Sequence, residues 1–159
     1  HVAEAMECIG GSGVMEDSTM PRLFRESPVN AIWEGSGNIQ CLDVLRAMDK
    51  TPAVIDVYFA EVDLARGDNA ALDRHVHALK KALEDPGDLE FVARDIADRL
   101  ALGLQAGLLV RHAPNWVADG FCSSRLDRKG QGQYGSLLRG TDCARIIERG
   151  MVDCGRTSP

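Results

Sequence analysis

The sequence predicts an all-α protein, an antiparallel helical bundle that continues into a helical C-terminal extension. Apolar residues recur at spacings of three and four along most of the 159 residues, which is the period of an amphipathic helix. Aromatic residues are only 5% of the chain, and alternating runs of Val, Ile and Thr are nearly absent, so little in the composition favours strands. Roughly six or seven helices are therefore expected around one core.

Helix-ending residues divide the chain into predicted segments. Gly10 to Gly13 stops the first helix, because glycine adopts the positive backbone φ angle that commonly follows a helix. Thr51, Asn69 and Thr141 are predicted to cap later helices, with Pro52 at the first helical position after Thr51. The predicted helices cover residues 1–9, 38–48, 52–66, 89–112 and 115–122. A further helix is predicted to begin after Asn69 and to end at Asp85-Pro86-Gly87, and two short helices are predicted from Pro21 and after Thr141.

Two helices carry the apolar stripes from which a core is expected. One stripe follows Asn69, and the other runs along the longest helix, which Asp88 is predicted to cap. Gly103 and Gly107 on that longest helix offer a smooth face for close packing of a second helix. The two stripes consist of Leu72, Val76, Leu79 and Leu83, and of Val92, Ile96, Leu100, Leu104 and Leu108.

Composition excludes several classes of protein. Five cysteines are scattered without a CxxC pair, which argues against a disulfide framework and against a zinc site, and favours reduced thiols in a cytoplasmic protein. The longest apolar run, Leu100 to Val110, is interrupted by Gln105 and is too short to span a bilayer. A net charge of −6 gives no general attraction to nucleic acid. The chain starts in mid-helix pattern at His1, which we interpret as a fragment or a processed C-terminal piece.

The segment from Ile32 to Gln40 is the strongest candidate for a functional site. Glu34 lies in a glycine-containing turn that leads into an amphipathic helix, whose first amide groups suit an anionic or polar ligand edge. Ser36 or Asn38 can accept hydrogen bonds from those amides. Trp33 gives Glu34 an apolar neighbour, and apolar surroundings raise the pKa of a carboxyl toward the range of a general base. The alternative interpretation is a solvated loop glutamate.

Residues Trp33 to Gln40 resemble the Tyr-Glu-Gly-Thr-Ser-Gln-Ile-Gln signature of acyl-CoA dehydrogenases. The form found here resembles the AidB-like, alkylation-response branch of that family. The resemblance is nearly continuous over residues 1–48 and patchier to residue 149. Further segments that resemble this branch are Pro21–Asn30, Cys41–Arg46, Arg111–Pro114 and Phe121–Leu126.

The resemblance implies an organisation in three parts. Residues 1–50 would be the end of the acyl-CoA dehydrogenase C-terminal helical domain with the flavin and catalytic motif. Residues 51–150 would be an AidB-like helical extension, and residues 151–159 a flexible tail. The resemblance also implies a homotetrameric full-length protein.

The same resemblance implies FAD-dependent α,β-dehydrogenation of an acyl-CoA thioester, with Glu34 as the base that removes the α-proton. Ser36 and Asn38 would touch the flavin, and Gly10 and Gly11 would lie near the flavin of a neighbouring subunit. The alternative for Gly10 and Gly11 is a simple helix cap. Trp33 replaces the family's tyrosine and would narrow the acyl channel. The full set of expected cofactor residues is Gly10, Gly11, Ile32, Trp33, Gly35, Ser36, Gly37 and Asn38.

A second functional class follows from the AidB-like resemblance. That resemblance implies that the helical extension binds double-stranded DNA and that the protein has little dehydrogenase turnover. Over residues 111–149, seven basic side chains exceed four acidic ones by three. Arg125, Arg128 and Lys129 form a candidate phosphate-contacting loop. A solvated surface patch explains the same charges.

A third interpretation is that the 159 residues alone, without the remaining domains of the family, bind flavin weakly or not at all.

Overall fold

A computed structural model describes residues 1–84, 87–127, 134–135 and 137–151. Over these ranges the chain is all-α and forms no β-strand, which confirms the predicted fold class. No helix in this part of the chain is long and apolar enough to cross a membrane. The α-helices are α1 (Val2–Ile9), α2 (Met20–Glu26), α3 (Gly37–Lys50), α4 (Ala53–Val62), α5 (Ala70–Glu84), α6 (Ala93–His112), α7 (Asn115–Arg125) and α8 (Cys143–Gly150). Short 3-10 turns follow α1, α2 and α4 at Gly10–Val14, Ser27–Ala31 and Asp63–Ala65.

The core is built around α6, against which α3, α4, α5 and α7 pack. Burying these apolar side chains stabilises the fold by roughly 25 cal/mol for each Å² removed from water. One buried cluster joins the end of α4, the inner face of α5 and the middle of α6 and α7, and it consists of Val62, Ala65, Leu72, Val76, Ala106 and Cys122. Burial raises the pKa of the Cys122 thiol to about 11, with smaller contributions from Asp119 and Asp127. The cluster therefore holds α4 to α7 together as one packed unit.

The face of α6 that enters the core differs from the predicted leucine stripe. Leu104 and Leu108 are 37% and 42% exposed, whereas Ala106 and Gly107 are buried. Small residues allow the backbone of α4 to approach closely, and a carbon placed at Gly107 would lie only 3.7 Å from Val62. The predicted close-packing role of the glycines is confirmed, but the assignment of Leu104 and Leu108 to the core was wrong.

Of the three caps predicted at Thr51, Asn69 and Thr141, one is confirmed and two were wrong. Asn69 caps α5, since its Oδ1 accepts from the amides of Ala71 and Leu72 at 3.0 and 3.2 Å. Thr51 does not cap α4, which begins at Ala53 without a side-chain cap. The last helix is capped by Asp142 rather than by its neighbour Thr141.

The longest helix starts later than its pattern predicted. It begins at Ala93, because Asp88 organises a separate turn in front of it instead of the first helical residues. The carboxylate of Asp88 accepts from the amide of Phe91 at 3.2 Å. The predicted stop at Asp85-Pro86 lies outside the described residues.

Removing the Asn69 cap should cost measurable stability. We expect Asn69→Ala to lower the free energy of unfolding by about 1 kcal/mol, because two amides at the start of α5 lose their acceptor. Ser36→Ala is the matched control, since Ser36 precedes α3 but makes no cap hydrogen bond. Urea unfolding of both variants measures the difference. Equal losses for the two substitutions would contradict the assigned role of Asn69.

The N-terminal helices carry the candidate motif to the start of α3. The first helix, its 3-10 turn and α2 pack on one another, and α3 packs along α6. The predicted division at residue 50 stays a prediction, although α3 and α6 lie on opposite sides of it in the sequence and are packed together. Residues 152–159 of the predicted tail lie outside the described part of the chain.

Candidate functional site

The turn that carries Glu34 is fixed by backbone hydrogen bonds. The amides of Ile32 and Trp33 both donate to the carbonyl of Val29 at 3.0 Å, and the amide of Gly35 donates to Ile32 at 3.1 Å. Gly35 has a φ of 120°, a conformation that side-chain-bearing residues rarely adopt. Gly35 is therefore required by the turn itself, before any contact with a ligand is considered.

Gln40, at the start of α3, stabilises the Glu34 turn through a side-chain hydrogen bond. Its Nε2 donates to the carbonyl of Gly35 at 3.0 Å. Gln40 belongs to the motif, but sequence reasoning gave it no role of its own. Its position five residues after Gly35, on a helix that starts at Gly37, was the available signal. The contact orients Gly35 and so fixes the direction in which Glu34 leaves the turn.

Both Trp33 and Glu34 are exposed within this chain. Trp33 is 69% exposed and Ile32 is 59% exposed, so the indole does not cover the neighbouring carboxylate. The dry environment expected from Trp33 is not formed by the described residues of this chain alone. Excluding water from Glu34 would require surface supplied by another part of the protein or by a ligand.

The start of α3 presents backbone donors that are not engaged. Ser36 occupies the position before the helix, but its side chain accepts no hydrogen bond from the first turn. Within the described part of the chain, the amides of Gly37, Asn38 and Ile39 also have no acceptor. The prediction that Ser36 or Asn38 caps this helix was therefore wrong. These open amides lie at the positive end of the helix dipole, where negative charge is stabilised.

Asn38 instead faces α6. Its Oδ1 accepts from Nε of Arg94 at 3.4 Å, and a carbon placed at Gly37 would lie 3.6 Å from the guanidinium of Arg94. Arg94 lies at the candidate site, and the sequence analysis did not identify it. It lies 56 positions from Asn38, and no local pattern connects the two. The contact adds a positive charge beside the open end of α3.

An exposed apolar surface surrounds the turn. Its side chains come from α2, the following 3-10 turn, the motif and α3, and all are at least 44% exposed: Leu23, Phe24, Val29, Ile32, Trp33 and Ile39. Several large apolar side chains exposed on consecutive elements favour a region that other protein or a ligand covers. The carboxylate of Glu34 and the free amides of α3 lie within or beside this surface.

The two arginines of α2 have the structural role predicted for them. Arg22 pairs with Glu26 at 2.9 Å, and Arg25 pairs with Glu16 at 2.5 Å. The hydrogen bond from Arg25 lowers the pKa of the Glu16 carboxyl. Since both guanidinium groups are engaged within α2 and the loop before it, they are not available as substrate ligands in this arrangement.

Gly10 and Gly11 are exposed at the end of α1. Gly10 has a φ of 74°, and its amide donates to the carbonyls of Met6 and Glu7, so it closes the helix as predicted. No heavy atom lies within 4 Å of a carbon placed at Gly10 or Gly11. Their expected approach to a neighbouring subunit's flavin stays a prediction.

The candidate DNA-contacting residues are only partly described. Arg125 ends α7 and is partly exposed, whereas Arg128 and Lys129 lie outside the described residues. Arg111 already pairs with Glu61 at 2.5 Å. The local excess of positive charge is therefore partly neutralised by carboxylates elsewhere in the fold.

The described residues bring together no group of three or more His, Cys, Asp or Glu side chains that could hold a metal ion. The chemistry that the turn itself offers is proton transfer through Glu34 and hydrogen bonding through backbone amides. A carboxylate next to open helix-start amides suits a substrate that must lose a proton while negative charge develops on a nearby oxygen.

Comparison with known proteins agrees with this combination of fold and turn. Residues 1–48 match the family model "Acyl-CoA dehydrogenase, C-terminal domain". The chain is therefore acyl-CoA dehydrogenase-like and corresponds to the C-terminal part of proteins in that family.

Two curated relatives extend the similarity beyond residue 48. The AidB protein of Escherichia coli (strain K12), whose name marks it as an acyl-CoA dehydrogenase only provisionally, is 41% identical over 146 residues, covering 88% of this chain and 27% of the relative. Acyl-CoA dehydrogenase family member 11 of Caenorhabditis elegans is 31% identical over 131 residues, covering 70% of this chain and 21% of the relative. The chain thus spans about a quarter of the length of these relatives.

Proposed function

We propose that this chain is the C-terminal part of an FAD-dependent oxidoreductase that introduces an α,β double bond into an acyl-CoA thioester, with Glu34 as the base. The observation that carries the proposal is the turn at the start of α3, where a glycine with positive φ presents an exposed carboxylate beside unengaged amides. The family to which residues 1–48 are matched supports the reaction class. In the longer protein, the exposed apolar surface around the turn would be covered.

Each polar group of the turn has a chemical role in this reaction. The carboxylate of Glu34 takes the α-proton, and the negative charge that develops on the thioester oxygen needs a fixed donor. The amide of Glu34 has no acceptor within the described part of the chain, so it is available as that donor. The hydrogen bond from Gln40 to Gly35 holds the carboxylate and this amide in one orientation.

The residues of the turn also fit one edge of a flavin. The open amides of Gly37, Asn38 and Ile39 can donate to flavin oxygens, and the exposed indole of Trp33 offers apolar contact. The flavin, when bound, supplies the acceptor for the hydride that leaves the β-carbon. Ser36 adds a hydroxyl at the start of the helix. Gly10 and Gly11 would contact the flavin of a neighbouring subunit in a homotetramer.

The isolated 159 residues should not retain flavin. Their contribution is a single exposed surface, whereas a tightly held ligand is usually enclosed on most of its sides. We expect no stoichiometric absorbance of flavin after incubation with FAD and gel filtration, and a yellow complex only once the preceding segments of the family are joined to the chain. A stoichiometric yellow complex of the isolated chain would contradict this expectation.

The direct test of the proposed function is anaerobic bleaching of flavin absorbance. The longer protein that contains this chain would be mixed with a series of acyl-CoA thioesters of increasing chain length. Bleaching by at least one thioester is expected. If no thioester bleaches the flavin, the proposed dehydrogenation is wrong.

A second proposed function is binding of double-stranded DNA by the helical extension. Arg125, Arg139 and Arg149 form no ion pair within the described residues and are available for phosphate contacts. We expect gel-shift affinity to fall steeply with salt, and to fall further when Arg125, Arg128 and Lys129 are changed to Ala. Absence of binding at low salt would exclude this function.

A further inference from the structure

An arginine of α6 contacts the motif at the start of α3. Nε of Arg94 donates to Oδ1 of Asn38 at 3.4 Å, between two helices that pack on each other. A carbon placed at Gly37 would lie 3.6 Å from the guanidinium, so the arginine lies beside the first residue of α3. Arg94 is outside residues 1–48, which match the family model. A residue from the part of the chain that follows the matched region therefore contacts the candidate site.

The backbone that carries Arg94 is held by packing. Ala93 and Ile96, in the same first turn of α6, are 2% and 1% exposed, whereas the side chain of Arg94 is exposed. The packing of α3 along α6 keeps this turn next to Asn38. The contact between Arg94 and Asn38 therefore follows from how the two helices pack.

The contact determines which end of the Asn38 amide is free. A side-chain amide has an acceptor oxygen and a donor NH₂ group, and rotation about its last bond exchanges the two. A guanidinium has only donors, so Arg94 holds the oxygen of Asn38 and leaves Nδ2. This Nδ2 forms no hydrogen bond to any residue that the structure describes. Asn38 therefore presents a donor to a ligand of the motif.

We propose that Arg94 is a positioning residue for the bound flavin, since it holds the Asn38 amide in the orientation in which Nδ2 donates to an acceptor oxygen of the cofactor. The inference rests on the proposed function, which takes flavin as the ligand of this turn. Acceptor oxygens are available on the ring carbonyls of a flavin and on the diphosphate of FAD. Without Arg94, the amide of Asn38 can turn its own oxygen toward these atoms, and two acceptors would then face each other.

The affinity of the deflavinated longer protein for FAD tests this role. We expect Arg94→Ala to raise the dissociation constant of FAD about tenfold, because the cofactor loses one correctly oriented hydrogen bond. Fluorescence titration with FAD measures the constant. Arg74→Ala is the matched control, since Arg74 is an exposed arginine on α5 that pairs with Asp127 at 2.7 Å, and its loss should leave the constant unchanged. An Arg94→Ala protein that binds FAD as tightly as the unchanged protein would overturn the proposal.

A conservative variant separates positioning from simple attraction by charge. Arg94→Gln places an uncharged donor, Nε2, at the same point of the side chain as the arginine Nε that contacts Asn38. We expect this variant to recover most of the affinity for FAD that Arg94→Ala loses. A glutamine variant as weak as the alanine variant would overturn the positioning role, because only the charge would then matter.

A double-mutant cycle tests whether Arg94 acts through Asn38. The affinity for FAD would be measured for the unchanged protein, Asn38→Ala, Arg94→Ala and the double variant. We expect Arg94→Ala to have little effect once Asn38 is alanine, because the amide that it positions is gone. Additive losses from the two substitutions would overturn the positioning role. Urea unfolding of the same four proteins checks that each affinity is measured on folded protein.

The absorbance spectrum of bound FAD identifies the oxygen that Asn38 contacts. A hydrogen bond to a ring carbonyl shifts the visible bands of a flavin, whereas one to the diphosphate leaves them in place. A spectral difference between the unchanged protein and Arg94→Ala would therefore assign the contact to the ring. Weaker binding with identical spectra would assign it to the diphosphate.

The outcomes also separate this inference from the proposed function. Binding of FAD that depends on Arg94, without bleaching by any thioester, would overturn the proposed dehydrogenation and support this inference. Bleaching by a thioester in a protein whose affinity for FAD is unchanged by Arg94→Ala would overturn this inference alone. A longer protein that binds no FAD would overturn both.

Discussion

Changing Glu34 to Gln in the longer protein is expected to abolish bleaching of the flavin by acyl-CoA thioesters. Glutamine keeps the size and the backbone of the turn, but its amide cannot accept the α-proton. A positioned general base contributes roughly 10²–10⁴-fold to a proton transfer, so the bleaching rate should fall by at least that much. Stopped-flow absorbance under anaerobic conditions measures the rate, and the flavin content of the purified variant shows whether the site is otherwise intact.

Glu84→Gln is the matched control for this experiment. Glu84 is an exposed glutamate at the end of α5, outside the motif and its apolar surface. We expect its bleaching rate to equal that of the unchanged protein. A Glu34→Gln protein that still bleaches at the original rate would remove Glu34 as the base. A protein that loses flavin on the same substitution would instead indicate a role in cofactor binding.

Changing Gly103 to Ala is expected to lower the free energy of unfolding by about 2 kcal/mol, although alanine normally stabilises a helix relative to glycine by about 1 kcal/mol. A carbon placed at Gly103 would lie 2.5 Å from the hydroxyl oxygen of Tyr58, a separation that forces movement. That hydroxyl donates to the carbonyl of Leu100 at 2.7 Å, and burial raises the pKa of Tyr58 to about 12. Displacing Tyr58 would therefore strain the packing of α4 on α6 and break a partly buried hydrogen bond.

Gly107→Ala is the control on the same helix. A carbon at Gly107 would meet Val62 at 3.7 Å, which is ordinary van der Waals contact, so alanine should be neutral or stabilising there. In a Tyr58→Phe background, where the hydroxyl is gone, Gly103→Ala should cost much less than in the original protein. Urea unfolding of the four members of this cycle measures the coupling. An unchanged cost in the Tyr58→Phe background would show that the clash with the hydroxyl is not the cause.

The candidate site shows where sequence reasoning reaches its limit. The motif predicted a turn that leads into a helix, and the structure has this turn with Gly35 at positive φ in front of α3. The expected cover of Glu34 by Trp33 is absent, since the Trp33 side chain is itself 69% exposed. Arg94 contacts Asn38 from another helix, and a local sequence pattern does not encode such a long-range contact. Exposure and long-range contacts depend on how helices pack, and not on their spacing in the chain.

The sequence by itself determined the all-α class, most helix ends and the cap at Asn69, because helical period and capping involve residues only a few positions apart. Only the tertiary structure decided which face of α6 is buried. The leucine stripe and the glycines Gly103 and Gly107 both satisfied the helical period, and the close approach of α4 selected the small residues. It also left Phe91, two residues before α6, 87% exposed. Burial is a property of surfaces brought together by packing, and sequence spacing alone does not choose between two apolar faces.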